Sequence, residues 1–554
     1  MRPPLRSVIA APALLAALAT PASTQSPAPV DLRILAINDF HGNLKPPPGG
    51  IRIDDASDKG GKIVVPAGGV EQMATLLREL RDGHRNNVLV AAGDLIGASP
   101  FLSAMFHDEP TIESLSMMGL ALSAVGNHEF DEGKDELLRM QNGGCHREDG
   151  CRGPHPFEGA KFHYLAASTF LKDSGKTLFP PYEIRTFDGI PVAFIGLTLK
   201  GTPEIISPAA ASGLEFRDEA DTVNALVPEL KAKGVQAIVV MIHQGGFPTG
   251  GYNECPGISG PIVDIVKKFD QAVDVVISGH THQAYVCEID GRLVTSADKF
   301  GTLVTAIDLK LDPATRDVIS AKAGNSIVRA TLAGDPEQAA LIESYEKLAA
   351  PIANRRAGTI TATLSRVPNL TGESALGDVV ADAHLAATRG EKDGGAVMAF
   401  TNPGGIRTDI AMKDGGAVSY ADLFAAQPFR NRLVTLTLTG AQIKEMLEQQ
   451  WRDPQRPRIL QVAGGFSYAW DASKAYGEHV AATSMKLNGV TIEPSNSYRV
   501  TINDYLEFGG DGFAVLKDGG AKQYGVYDDE ALFAFFGASS PISPGPLTRI
   551  SRIN

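Results

Sequence analysis

Five short clusters in the first three hundred residues carry side chains that bind metal ions. They are Asn38-Asp39-Phe40-His41-Gly42, Gly93-Asp94, Gly126-Asn127-His128-Glu129, His243-Gln244-Gly245-Gly246 and Gly279-His280-Thr281-His282. Seven candidate ligands result: Asp39, His41, Asp94, Asn127, His243, His280 and His282. Imidazole and carboxylate suit zinc or manganese, and the asparagine carbonyl adds a hard oxygen. With Asp94 bridging, one ion takes Asp39, His41, Asp94 and His282, and a second takes Asp94, Asn127, His243 and His280. Two divalent ions less two carboxylates leave a surplus of positive charge, which attracts a phosphate-sized anion. Ions about 3.5 to 4 Å apart activate water and clamp phosphoryl oxygens during in-line displacement, so the expected reaction class is phosphoester hydrolysis. His128 follows a ligand directly and has Asp131 three residues on, at contact spacing for a helical turn. This pair reads as a transition-state stabiliser or proton donor, His128, with Asp131 fixing its tautomer and raising its pKa.

The elements that must position these clusters are legible as apolar runs ending at each one: Leu32 to Ile37, Val88 to Ala92, Ala121 to Val125, Ala237 to Ile242 and Ala272 to Ile277. Helical stretches at Val70 to Arg81 and Glu219 to Lys233 alternate with them, which predicts a layered α/β domain. Ligands in such domains gather beyond the carboxyl ends of the strands, so the five clusters are expected in one crevice. Pro46 to Gly69, rich in Pro, Gly and Asp, reads as a long surface loop. Asp335 and Pro336 start a linker helix over residues 336–358, whose apolar stripe is Leu341, Tyr345, Leu348 and Ile352. Beyond it, residues 359–554 read as a second mixed α/β domain. Its expected elements are helices at Leu376 to Ala387 and Gly440 to Glu448 and strands at Ala396 to Thr401 and Tyr498 to Ile502.

Asn-Asp-Phe-His-Gly, Gly-Asp, Gly-Asn-His-Glu-Phe-Asp and Ser-Gly-His-Thr-His together resemble the dinuclear metallophosphoesterases. With Asn-Pro-Gly-Gly-Ile-Arg and Gly-Gly-Asp-Gly-Phe further on, the chain resembles secreted 5'-nucleotidases over about residues 31 to 540. The resemblance implies a four-layer α/β/β/α catalytic domain, 31–335, joined through the helix to a nucleotide-specificity domain, with the active site between them. It also implies that Asn402, Arg407, Phe429, Tyr505 and Asp511 hold the nucleotide, the two rings stacking on the base. Arg407 supplies a planar fork for phosphate and Asp511 an acceptor for ribose hydroxyls. Departures from the family pattern are Pro403 within the glycine run, Tyr505 in place of phenylalanine, and His282 where some members have glutamine. Arg366 is the candidate for a further arginine early in the second domain.

In all there are 554 residues, 43% hydrophobic and 21% charged, with a formal net charge of -13. Such a chain buries ordinary cores, and its charge disfavours nucleic-acid polymers as partners. Arg2, Arg6, the apolar run Val8 to Ala19 and small residues up to Ala22 read as an export signal, 1–22, placing the mature protein in a periplasm or outside the cell. No later run is long enough for a membrane anchor. Four cysteines allow three pairings, of which Cys145 with Cys151 and Cys255 with Cys287 is preferred. The competing reading is a small zinc site of Cys145, Cys151, His146 and His155. The expected function is an exported 5'-nucleotidase with two divalent ions and a nucleotide substrate, extending to di- and triphosphates or nucleoside-diphosphate sugars. Rival readings are a 2',3'-cyclic nucleotide phosphodiesterase with 3'-nucleotidase activity, a thiosulfate-ester hydrolase and a catalytically dead surface binding protein.

Overall fold

The computed structural model describes Met1 and residues 28–55, 61–454 and 456–554. The export-signal reading falls on residues that lie outside the described ones. Two six-stranded mixed sheets form the centre of the first part of the chain. In the first, Val30–Ile37, Asn87–Ala91, Leu120–Ala124 and His163–Leu165 run parallel, and Leu303–Leu311 and Val318–Ile327 add antiparallel strands at one edge. In the second, Ile190–Thr198, Ala237–His243, Val275–Ser278 and Arg292–Ala297 are parallel, and hairpin partners Tyr182–Phe187 and Ala284–Ile289 form the edges.

Parallel strands are covered on both faces, which is why their sequences are continuous apolar runs rather than alternations. Every residue of Ala237–His243 is buried. Ile34, Val90 and Leu122 from the first sheet meet Phe194, Val239 and Met241 from the second in a core between the sheets. The outer faces take helices: Val70, Met73 and Leu77 of Val70–Arg81 pack with Leu35 and Leu89, while Val223 and Leu230 of Glu219–Ala232 pack with Ile195 and Val240. The order helix, sheet, sheet, helix gives four layers.

Asp335 accepts hydrogen bonds from the N–H groups of Glu337 and Gln338 and so caps the helix Pro336–Ala353. The expected stripe of that helix is wrong by a rotation. Its buried face is Gln338, Ile342, Tyr345 and Ala349, whereas Leu348 and Ile352 are 43% and 39% exposed. The physical reason is a polar anchor: Ser114 Oγ donates to Gln338 Oε1 at 2.6 Å and Gln338 Nε2 donates to the Ser114 carbonyl at 3.2 Å. Two apolar stripes were available, and these satisfied hydrogen bonds select the one containing glutamine. The expected loop Pro46 to Gly69 instead contains a hairpin, Ile51–Asp54 paired with Lys62–Val65, whose charged residues conceal its alternation.

After the helix the chain builds a second α/β unit on a five-stranded sheet ordered Gln461–Val462, Met398–Thr401, Ser497–Asn503, Arg432–Thr439 and Gly520–Tyr527. Met446 and Leu447 of helix Gly440–Gln449 join Met398, Leu436 and Val500 of the sheet in one core. Helix Ala375–Thr388 packs against Asp528–Ser539. The two parts meet where Phe101 sits edge-on to Tyr420 and Phe424, at 5.4 and 5.3 Å, beside Tyr345 of the connecting helix. Among the described residues no helix is long and apolar enough to cross a membrane.

Candidate metal centre

Each ligand cluster begins where a parallel strand ends, and the two sheets aim all five at one place. Four contacts define the first group: His41 Nε2 lies 3.1 Å from His282 Nε2, 3.6 Å from Asp94 Oδ2 and 4.0 Å from Asp39 Oδ1, and His282 Nε2 lies 3.4 Å from Asp39 Oδ1. In the second, His243 Nε2 is 2.9 Å from Asp94 Oδ2 and His280 Nδ1 is 3.0 Å from Asn127 Oδ1. A tetrahedron with ligand atoms about 2.1 Å from its ion has edges of about 3.4 Å, the middle of this range. The donor set therefore fits divalent ions.

Second partners orient the ligands. His41 Nδ1–H donates to the Gly97 carbonyl at 2.9 Å and His243 Nδ1–H to the Ala92 carbonyl at 2.8 Å, so both present Nε2 to the centre. The buried His243 Nε2 has no aligned hydrogen-bond partner. Burial drives His41 and His282 well below the ordinary histidine range and His280 down to about 3, keeping these rings in the neutral form that offers a lone pair.

The backbone is bent to achieve this convergence. Asp39, His41, Asp94, His280 and His282 all have positive φ, between 48° and 70°. Such conformations cost about 1 to 3 kcal/mol each and persist only where their surroundings hold them. Glu129 is one restraint that sequence reasoning missed as a functional residue. Its buried carboxylate accepts the N–H groups of Asp94, Leu95 and Gly126 at 2.9, 2.8 and 2.6 Å, tying two ligand loops together. Gly126 allows this approach, since a Cβ there would lie 2.2 Å from Asp94 Oδ1.

His128 Nδ1 meets Asp131 Oδ2 at 2.9 Å, and the His128 N–H donates to Asp94 Oδ1 at 2.9 Å. Burial opposes charge on this ring, but Asp131 and Asp94 together hold it above the ordinary histidine value. His128 also stands within ligand reach of His41 and Asp94. Phe429 of the second unit stacks on His128 with ring centres 5.8 Å apart, and the Arg407 guanidinium lies 5.7 Å from the Phe429 ring.

Asn402, Tyr505 and Asp511 form a separate knot. Asn402 Nδ2 donates to Asp511 Oδ2 at 3.1 Å, Tyr505 Oη donates to Asp511 Oδ1 at 3.1 Å, and Arg458 pairs with the same carboxylate. The extra hydroxyl of Tyr505 thus engages Asp511 within the protein. Arg366 donates from Nη1 to the Ile406 carbonyl at 2.9 Å, one residue before Arg407. Lys299 follows the strand Arg292–Ala297 in a turn whose neighbours Asp298 and Phe300 hydrogen-bond to Asn38 and Asp39.

The four cysteines form Cys145–Cys151 and Cys255–Cys287, which overturns the alternative of a cysteine-ligated zinc site. His146 stacks instead on His107, 3.6 Å away, and His155 lies 3.5 Å from Glu113.

The family model of the calcineurin-like phosphoesterases matches residues 32–284, and that of the 5'-nucleotidase C-terminal domain matches residues 355–518. Over 86% of its length the chain is 33% identical to Endonuclease YhcR of Bacillus subtilis (strain 168). Over 88% it is 30% identical to Cell wall protein Lmo0130 of Listeria monocytogenes serovar 1/2a. The chain spans 37% and 64% of the lengths of these two relatives. The crystal structure of a 5'-nucleotidase precursor from Thermus thermophilus is similar with a TM-score of 0.76 and 25% identity, over 95% of this chain and 99% of that one. With the first match carrying the ligand clusters and the second carrying Asn402, Arg407, Phe429, Tyr505 and Asp511, the chain belongs to the calcineurin-like phosphoesterases that bear a 5'-nucleotidase C-terminal domain.

Proposed function

We propose that the chain is an exported, metal-dependent 5'-nucleotidase that releases phosphate from nucleoside monophosphates and accepts longer nucleotide phosphates. The observation that carries this reading is the entry of Arg407 and Phe429, from the second unit, into the ligand crevice against His128. A metal centre alone suits any phosphoester, whereas a flat ring and a guanidinium beside it suit a base and its phosphate. The seven ligands would hold two zinc or manganese ions, which when bound would supply Lewis acidity for attack by water. Arg407 and Arg366 bind phosphoryl oxygens. His128, kept above its ordinary pKa by Asp131, stabilises the developing charge and gives its proton to the leaving oxygen. Phe429 and Tyr505 flank the base, and Asp511 accepts from ribose hydroxyls. Export is supported by the amino-terminal sequence and by two disulfides, which persist in oxidising compartments.

Phosphate release from a panel of 5', 3' and 2',3'-cyclic nucleotides by metal-loaded protein tests the reading. The 5'-monophosphates are expected to be the best monoesters. Faster turnover of the 3' or cyclic compounds would replace this reading by the phosphodiesterase one.

A further inference from the structure

Three cations, Lys299, Arg366 and Arg407, stand on segments beside the candidate centre. Among the described residues Lys299, Arg366 and Arg407 form no ion pair, although this chain has an excess of acidic groups elsewhere. Like charges collected in a partly dehydrated crevice repel one another; Asp298, Asp409 and the carboxylates of Asp39 and Asp94 offset part of that cost, and a bound anion offsets more. Arg366 and Arg407 are carried by the second unit, Arg407 with its guanidinium 5.7 Å from the Phe429 ring. Lys299 comes from the first, and its position is built with care.

Asp298, Lys299, Phe300 and Gly301 follow the strand Arg292–Ala297. Asp298 and Phe300 have φ of 59° and 57°, a conformation that non-glycine residues adopt only when held. The holding groups belong to the ligand loops. Phe300 N–H donates to the Asp39 carbonyl at 2.7 Å, Asn38 Nδ2 donates to the Asp298 carbonyl at 2.7 Å, and Asp298 N–H donates to the Gln283 carbonyl at 3.1 Å. The Phe300 ring then stands edge-on to His41 and His282, with centres 5.9 and 5.7 Å apart, and Lys299 Nζ lies 5.0 Å from the same ring. The adjacent acid, Asp298, accepts from Thr302 Oγ1 at 2.9 Å. Burial lowers the Lys299 pKa from the ordinary lysine value; Asp298 opposes that shift, while Arg366 and Arg407 add to it.

We propose that Lys299 is a specificity-determining residue that binds the second phosphoryl group of a nucleoside diphosphate, next to the one removed. The proposal rests on the nucleotidase reading above and narrows its substrate class. The phosphoryl group of a monophosphate is already served by the ligand centre and the two arginines. A second group adds negative oxygens beyond it, and Lys299 is a cation of the first unit that stands beside the ligand loops and, among the described residues, forms no ion pair.

The test compares Lys299→Met and Lys299→Arg with wild type, all metal-loaded, on adenosine 5'-diphosphate and 5'-monophosphate. Losing one charge-assisted contact should raise KM for the diphosphate about tenfold more than for the monophosphate. Turnover should stay within about threefold, Lys299→Arg should recover most of the loss, and metal content should not change. Equal losses on the two substrates, no loss, or a fall confined to turnover would overturn the proposal. Calorimetric binding of the methylene-bridged diphosphate analogue separates this outcome from the fate of the nucleotidase reading, because it needs no hydrolysis. Should wild type bind the analogue but cleave neither nucleotide, the nucleotidase reading fails while Lys299→Met still decides the role of Lys299. Absence of analogue binding to wild type would sink it.

Discussion

Asp94 is the side chain on which both halves of the centre converge. Oδ2 faces His41 and His243, at 3.6 and 2.9 Å, and Oδ1 accepts the His128 N–H. Asp94→Asn should therefore lose both ions by elemental analysis, together with activity, whereas His41→Ala should lose mainly one. Full activity of the wild type after exhaustive chelation would remove metal from the account altogether. His128 is the contrasting case. Its Nδ1 is occupied by Asp131, so the ring is expected to serve charge in the transition state rather than coordination. His128→Ala should keep its metal and lose about 100-fold or more in turnover, the scale of an acid or electrostatic group. Loss of metal in that variant would instead make His128 a ligand, a role its reach to His41 and Asp94 permits.

At the scale of elements, the ligand loops are short connections bent into left-handed conformations and held by one another, while the strands below them supply rigidity. Asp274, just before the strand Val275–Ser278 that leads to His280 and His282, tests that support. Its carboxylate accepts the Ile238 N–H at 2.8 Å, yet burial pushes its pKa from 3.8 up to about 7. A folded-state pKa above the unfolded one means that the folded protein holds the extra proton between these values. Stability contributed by this group is thus lost as pH rises from about 4 to about 7. An amide keeps the hydrogen bond without burying a charge. Asp274→Asn should stabilise the protein, and the gain in denaturant unfolding at about pH 8 should exceed that at about pH 5 by on the order of 2 kcal/mol. A gain independent of pH would show that ionisation of Asp274 is not the cause.

At the scale of the molecule, two units with separate cores share one crevice. The apolar contact of Phe101 with Tyr420 and Phe424 anchors one side, and Arg456 lies over the Phe247 ring, 3.2 Å from its centre, on another. If the proposed nucleotidase reading holds, a small phosphoester is expected to require only the first unit's centre and a nucleotide both units. Phe429→Ala should raise KM for a nucleotide about 5- to 150-fold, the equivalent of roughly 1 to 3 kcal/mol of stacking, and leave a small artificial ester nearly unaffected. Steady-state kinetics on both substrates check this, and equal losses would assign Phe429 to supporting His128 instead of the base.

The alternation of apolar runs and helical stretches was legible because buried parallel strands demand apolar residues at successive positions, whatever lies next to them. The ligand types were legible for a related reason: a loop that ends a strand in Gly-Asn-His or Gly-His-Thr-His carries chemistry in its own few residues. By itself the sequence therefore determined the layered α/β class, the candidate ligands and the even cysteine count. Tertiary structure alone decided which face of Pro336–Ala353 is buried, since two apolar stripes compete there and the choice depends on Ser114, 224 residues from Gln338. It also decided that Glu129 braces Asp94, that the Tyr505 hydroxyl engages Asp511, and that the turn carrying Lys299 is tied to Asn38 and Asp39. Those roles arise from distances between residues far apart in the chain, which local pattern does not record.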